Sequence, residues 1–221
     1  MKKTAIILGA SGLTGGLLLD QLINDERYES IKLFSRSKLE GLPNKFTQYI
    51  GDLLELEQFK NDFTGDQVFC CIGTTKAKTP NKDLYKKIDY GIPVSAAKLA
   101  KTNGIETFLV ISALGANSKS SVFYNKIKGE MERDVLKQDI KKTFIFQPSL
   151  IGGERKESRT LETIGKVVFK VIQPLFFGKL KKYKITDPEN MAQAMINLAN
   201  SKNYSEVIIN SNDIKRITKN N

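Results

Sequence analysis

The sequence contains no histidine in its 221 residues. Without an imidazole there is no Ser-His-Asp triad, no histidine general base and almost no route to a catalytic zinc, so no metal site is expected. Cysteine is nearly as scarce. The only two, Cys70 and Cys71, are adjacent in an apolar run. They cannot staple a secreted fold and read as small buried hydrophobes in a reducing compartment, so the expected location is cytoplasmic. Also missing is an apolar run long enough to span a bilayer. Met1-Lys-Lys followed by Ala5-Ile-Ile-Leu8 imitates a signal peptide, but Gly9, Ser11, Gly12, Gly15 and Gly16 break it at once. No convincing small-residue cleavage site follows. No repeat, low-complexity tract or linker divides the chain, which is expected to form one domain over 1–221, with a substrate-side segment at about 149–187.

What is present fits a folded chain with a full core. Hydrophobic residues make up 40% and charged residues 27%. The formal charge of +11 invites a nucleic-acid reading. A binding module, however, gathers its basic residues with aromatics on one element. Here lysines are scattered, with one cluster at Lys179-Leu-Lys-Lys-Tyr-Lys184. A basic soluble surface is the simpler account, and a nucleic-acid partner ranks last, since it rests on charge alone.

Short β-rich runs alternate with helical patterns. The predicted strands are Thr4–Leu8, Ser30–Ser35, Phe46–Ile50, Val68–Ile72, Thr107–Ile111, Thr143–Phe146 and Glu206–Ile209. Helical spacing covers 12–24, 55–62, 83–103, 121–137, 160–177 and 188–200. Several strands are continuous apolar runs, as strands are when helices cover both faces. The fold class is therefore α/β, a doubly wound, mostly parallel sheet of the Rossmann type.

The first strand runs into Gly9-Ala-Ser-Gly-Leu-Thr-Gly15 and then into a helix. Glycine is needed here for the tight turn, for close backbone approach to a pyrophosphate, and for seating the helix against the strand. The free N–H groups and the positive dipole end of that helix then hold phosphate. Gly9, Ser11, Gly12, Leu13, Thr14 and Gly15 are thus the candidate pyrophosphate cradle. An NAD protein carries an acid after the second strand to hold the ribose 2′-hydroxyl. This chain instead has Phe34-Ser-Arg-Ser-Lys38. Arg36 with Ser37 suits a 2′-phosphate, so NADP(H) is expected ahead of NAD(H).

With these residues goes Tyr124-Asn-Lys-Ile-Lys128, and together they resemble the atypical short-chain dehydrogenase/reductase family. Within it, the look is that of the Tat-interacting oxidoreductase-like proteins and their bacterial relatives. The resemblance runs through Gly51-Asp-Leu53, Cys71-Ile-Gly-Thr-Thr75, Lys87-Ile-Asp-Tyr90, Ile111-Ser-Ala-Leu-Gly-Ala116, Gln147-Pro-Ser149 and Glu154-Arg-Lys-Glu-Ser-Arg159. It implies that Asp52 and Leu53 flank the adenine and that Ile72, Gly73 and Thr74 lie by the ribose and phosphates. It also implies that Pro148 to Ile151 flank the nicotinamide, and it adds Arg159 to the cofactor set. Ser112, Tyr124 and Lys128 match the family's catalytic set, with Tyr124 and Lys128 touching the cofactor as well. Four residues apart on a helix, Tyr124 and Lys128 share a face, and an ammonium there favours the phenolate. Ser112 would hydrogen-bond the substrate oxygen. The chain departs from the family at Asp89, where fuller members often have Asn, and at Gln147-Pro148.

The implied activity is NADP(H)-dependent hydride transfer to or from a small carbonyl or alcohol. The alternative is a non-catalytic NADP(H)-binding regulator or redox sensor. Leu161, Ile164, Val167, Val168 and Val171 recur at helical spacing before Pro174-Leu-Phe-Phe177, which predicts a lid helix over the substrate. Core packing and a membrane-surface anchor remain open for that segment.

Overall fold

The computed structural model describes residues 2–149, 151 and 186–219. The predicted helix at 160–177, Arg159 and most of the 149–187 segment lie outside the described residues.

Seven strands follow the seven β-rich runs of the sequence. They are β1 (Lys3–Leu8), β2 (Tyr28–Ser35), β3 (Phe46–Ile50), β4 (Gln67–Cys70), β5 (Thr107–Ile111), β6 (Lys142–Gln147) and β7 (Ile208–Asn210). They form one sheet in the order β3-β2-β1-β4-β5-β6-β7, and every neighbouring pair is parallel. The chain winds outward from β1 to β3, returns to the centre at β4, and then winds the other way. The reversal leaves a crevice at the carboxyl ends of β1 and β4, where open α/β sheets bind ligands.

Alternate residues of each strand feed two separate cores. On one face Ala5, Ile7, Ile31, Leu33 and Phe69 pack under α1 (Leu13–Ile23) and the later helix of residues 188–200. On the other, Ile6, Leu8, Val68, Cys70 and Phe108 pack under the helices of residues 92–102 and 123–136. Burial pushes the Cys70 thiol up to about 12, so it is inert packing rather than a nucleophile.

Two predicted helices take a different form. The stretch at 55–62 is a 3-10 helix, Leu53–Phe59, with Asp52 capping it. The stretch at 83–103 is three pieces: α2 (Lys82–Lys86), a π turn (Lys87–Gly91) and α3 (Ile92–Thr102). Pro93 explains the break, since it has no N–H to return to the carbonyl four residues back. Further along lie α4 (Phe123–Leu136), α5 (Pro188–Asn200) and α6 (Ser211–Lys219).

Candidate functional site

The glycine turn closes the crevice from the β1 side. Gly9 has φ +87°, and a Cβ there would stand 2.8 Å from the Cys71 carbonyl oxygen, so the loops after β1 and β4 touch through this residue. A Cβ on Gly15 would run into the Gly9 carbonyl, which is why α1 can begin so close to the turn. At the start of α1, Gly12 offers no side-chain cap and the first turn holds no acid. The backbone donors of Leu13, Thr14 and Gly15 therefore face the crevice without competition from a carboxylate. Ser11 is exposed beside them and Thr14 is buried.

At the neighbouring strand end, Ser35 Oγ donates to the Ser37 carbonyl at 2.7 Å and tightens the turn that carries Arg36. Arg36 and Ser37 are exposed. Arg36 forms no ion pair with any described residue, whereas Lys38 nearby meets Glu40 at 3.5 Å. Asp52 follows β3, but its carboxylate accepts from the Leu54 N–H at 2.9 Å and caps the 3-10 helix. Leu53 is buried in the core.

The β4 side holds the charged centre. Lys128, on α4, is buried, and its Nζ lies 2.9 Å from Asp89 Oδ1 and 3.3 Å from the Ile111 carbonyl oxygen. Asp89, on the π turn, is buried too, and its Oδ2 accepts from the Thr74 N–H at 2.7 Å. Burial alone lowers the Lys128 pKa, but Asp89 and the Tyr124 phenol outweigh it, and the net direction is upward. A Cβ on Gly73 would sit 3.7 Å from Asp89 Oδ1 and 3.9 Å from Lys128 Nζ, so the Ile72-Gly73-Thr74 backbone crosses directly over this pair. Asp89 therefore anchors both the lysine and the loop, the task that a neutral Asn would do without the charge.

Ser112, just past β5, is buried, and its hydroxyl donates to Glu132 Oε1. Gln147 donates to both Glu132 oxygens at 2.9 and 3.0 Å. Burial raises the Glu132 pKa, opposed by those two hydrogen bonds and the Lys128 charge. In this arrangement the Ser112 hydroxyl hydrogen points at Glu132 Oε1 rather than being free for a substrate oxygen. Glu132 is absent from the sequence-based set. Its signal was spacing: Tyr124, Lys128 and Glu132 recur every four residues on one face of α4. Pro148 is buried after β6, with its carbonyl accepting from the Leu114 N–H at 2.8 Å, and Ile151 bridges to Thr186.

Tyr124 is 40% exposed at the start of α4 and stacks edge-on to Tyr85, with ring centroids 6.5 Å apart. It opens onto a cavity of about 610 Å³ between α2, the loop after Thr74 and the first turn of α4.

Residues 9–166 match a family model described as NAD(P)H-binding. The chain belongs to this NAD(P)H-binding family. Its relatives bear the resemblance out. The NAD(P)H-binding chain is 33% identical over 201 residues to the mitochondrial protein FMP52 of Debaryomyces hansenii, covering 89% of this chain and 87% of the relative. It is 33% identical over 171 residues to the protein HTATIP2 of Rattus norvegicus, covering 76% and 70%. Solved structures share the fold at low identity. A UDP-glucose 4-epimerase of Thermotoga maritima with UDP-glucose superposes with a TM-score of 0.69, 14% identity, and 98% and 82% coverage. The Bordetella bronchiseptica enzyme WbmG in complex with NAD does so at 0.69, 12%, 100% and 78%. The chain is thus an NAD(P)-binding Rossmann-type domain of the atypical short-chain dehydrogenase/reductase kind.

One expectation is corrected. The cytoplasmic location read from the cysteines is contradicted by the names of several fungal relatives at 33–34% identity, which are mitochondrial proteins. Reduced cysteines report a reducing environment, not which compartment supplies it. No helix among the described residues is long and apolar enough to cross a membrane.

Proposed function

We propose that this protein is an NADP(H)-dependent oxidoreductase acting on a carbonyl or alcohol. The observation that carries the reading is Tyr124, a phenol at the mouth of an apolar cavity, one helical turn from a lysine buried under the Gly73 backbone. Bound NADPH would supply the hydride. The cradle fits a dinucleotide: Gly9, Gly12 and Gly15 leave room for it, and Leu13, Thr14 and Gly15 would hold its pyrophosphate. Arg36 with Ser37 would take the 2′-phosphate, and the Ile72–Thr74 backbone and Lys128 would border the nicotinamide ribose. Tyr124 would pass its proton to the carbonyl oxygen, with the Lys128 ammonium stabilising the phenolate left behind.

The second reading, a non-catalytic NADP(H)-responsive protein, is favoured by how the neighbouring groups are used. Asp89 neutralises Lys128, and Glu132 accepts the Ser112 hydroxyl's hydrogen bond.

Tyr124→Phe separates the two. It keeps the ring against Tyr85 and leaves the buried ion pair intact. A Lys128 variant, by contrast, strands Asp89 at a cost of about 3–5 kcal/mol. The expected result is unchanged NADPH affinity with carbonyl reduction lowered by about 10²–10⁴-fold. Full activity in Tyr124→Phe would remove the proton-donor assignment.

A further inference from the structure

The cavity beside Tyr124 has a lining of uneven chemistry. Tyr85 is buried behind it and packs edge-on to Phe123, with centroids 5.7 Å apart, as well as to Tyr124. These three rings make a stiff apolar wall, extended by Val122, which is 55% exposed. The polar capacity of the threonines in the lining is largely spent within the protein. Thr74 and Thr79 hydroxyls bond each other at 2.8 Å, and Tyr85 Oη donates to the Thr74 carbonyl at 3.4 Å.

Charge enters the cavity with one sign only. No Asp or Glu is among the described lining residues, while Lys76 and Lys82 are. The Lys82 ammonium lies 5.6 Å from the centre of the Phe123 ring, a cation–π contact that holds positive charge against the aromatic wall. Neither lysine pairs with a described carboxylate. Lys86, one turn further along the helix, already has Glu130 at 3.4 Å.

We propose that the cavity binds a carbonyl compound with a flat or linear apolar body and a carboxylate at the end remote from the carbonyl. The carbonyl part rests on the oxidoreductase reading above; the apolar body and the carboxylate rest on the lining. The aromatic wall covers the body, Lys76 and Lys82 take the carboxylate, and the carbonyl lies at Tyr124. The cavity volume suits a small organic molecule of this kind. In the reaction, the carbonyl carbon accepts a hydride from the reduced nicotinamide while its oxygen takes the Tyr124 proton. An aldehyde becomes a primary alcohol, and the dinucleotide ends oxidised.

The test uses the full chain with para-formylbenzoate and a ladder of straight-chain ω-oxo carboxylates, each beside its methyl ester. NADPH consumption is followed for every pair. Calorimetry then measures the product acid, para-(hydroxymethyl)benzoate, against its ester, with NADP⁺ present and without it. The expected result is an acid-over-ester preference in kcat/KM of about tenfold for at least one length, close to what 1.4 kcal/mol of binding yields. A Lys76→Met, Lys82→Met double variant should bring that ratio near one through KM. Acid-selective binding that the double variant loses, with no turnover of any aldehyde, upholds the apolar body and the carboxylate of the proposal and removes its carbonyl part together with the oxidoreductase reading. Equal treatment of acid and ester, a preference that survives in the double variant, or binding of neither overturns the cavity proposal. Turnover of the esters would then still support the oxidoreductase reading.

Discussion

Glu132 decides what the Ser112 hydroxyl can do. An ionised carboxylate only accepts, so Ser112 must give it the proton and can present only lone pairs to a ligand. A protonated Glu132 can donate instead, which releases the Ser112 proton toward a carbonyl oxygen. Burial favours the neutral form, and the Glu132 pKa accordingly lies above its ordinary value of 4.5. Because the folded chain holds this proton more tightly than the unfolded one, the associated stability is full below pH 4.5. It is lost as pH rises through the folded pKa. Glu132→Gln, which keeps the shape and cannot ionise, should remove that loss. Melting curves of the two proteins should therefore diverge in favour of the variant as pH rises from about 4.5. A gap that stays constant across that range would show that Glu132 does not titrate with folding. The acid was only half legible in the sequence. Its place four residues after Lys128 could be read, but its partners Ser112 and Gln147 reach it from the ends of β5 and β6, which only the folded sheet brings together over α4. By the same logic, Asp89 could be seen as a departure from the family pattern, yet only packing shows it paired with Lys128.

At the scale of elements, all seven strands could be read because each is a short β-rich run bounded by turn residues, several of them continuously apolar, although the edge strand Phe46–Ile50 mixes polar and apolar residues. The helices were less faithful where local chemistry competes with periodicity. Ile92 to Ala100 repeats at helical spacing, and that rhythm hides the interruption made by Pro93. The last helix, Ser211–Lys219, was missed because it is short and polar, and its Ser211 hydroxyl is spent accepting from the Ser149 N–H at 2.9 Å. Gly129, inside α4, is a case where propensity and packing predict opposite outcomes. An exposed helical glycine changed to alanine gains about 1 kcal/mol. Gly129 is instead buried against the loop that follows Ser112, and a Cβ there would stand 2.6 Å from Asn117 Cα. The loop is docked by the Asn117 N–H donating to the Asn125 carbonyl at 2.9 Å, so it has little room to retreat. Gly129→Ala should thus lose about 1–3 kcal/mol, as overpacked sites do. Thermal denaturation decides it: a raised melting temperature would mean the loop yields freely.

Across the whole molecule, the sheet consists of two halves that meet at β1 and β4, and the crevice between them belongs to neither. A dinucleotide bound as proposed would lie across it, against the glycine turn and Arg36 on one side and the loop of Ile72 to Thr74 on the other. It should therefore stabilise the fold as a unit. Linkage gives the size: a ligand at one hundred times its Kd adds about 2.7 kcal/mol. In a chain of this length each kcal/mol raises the melting temperature by roughly 2–4 °C. NADPH and NADH share everything except the 2′-phosphate, so any difference between their shifts reports the turn at Phe34 to Lys38. Arg36 stands there exposed, with no carboxylate competing for it among the described residues. The expected order is a larger shift with NADPH than with NADH in the wild type. In Arg36→Ala the two should approach each other, because losing a charge-assisted contact costs about 1.5–3 kcal/mol of NADPH binding alone. Equal shifts in the wild type would mean that the basic turn does not read the phosphate. A Gly15→Ala control should abolish both shifts, since its methyl group meets the Gly9 carbonyl and forces the cradle open.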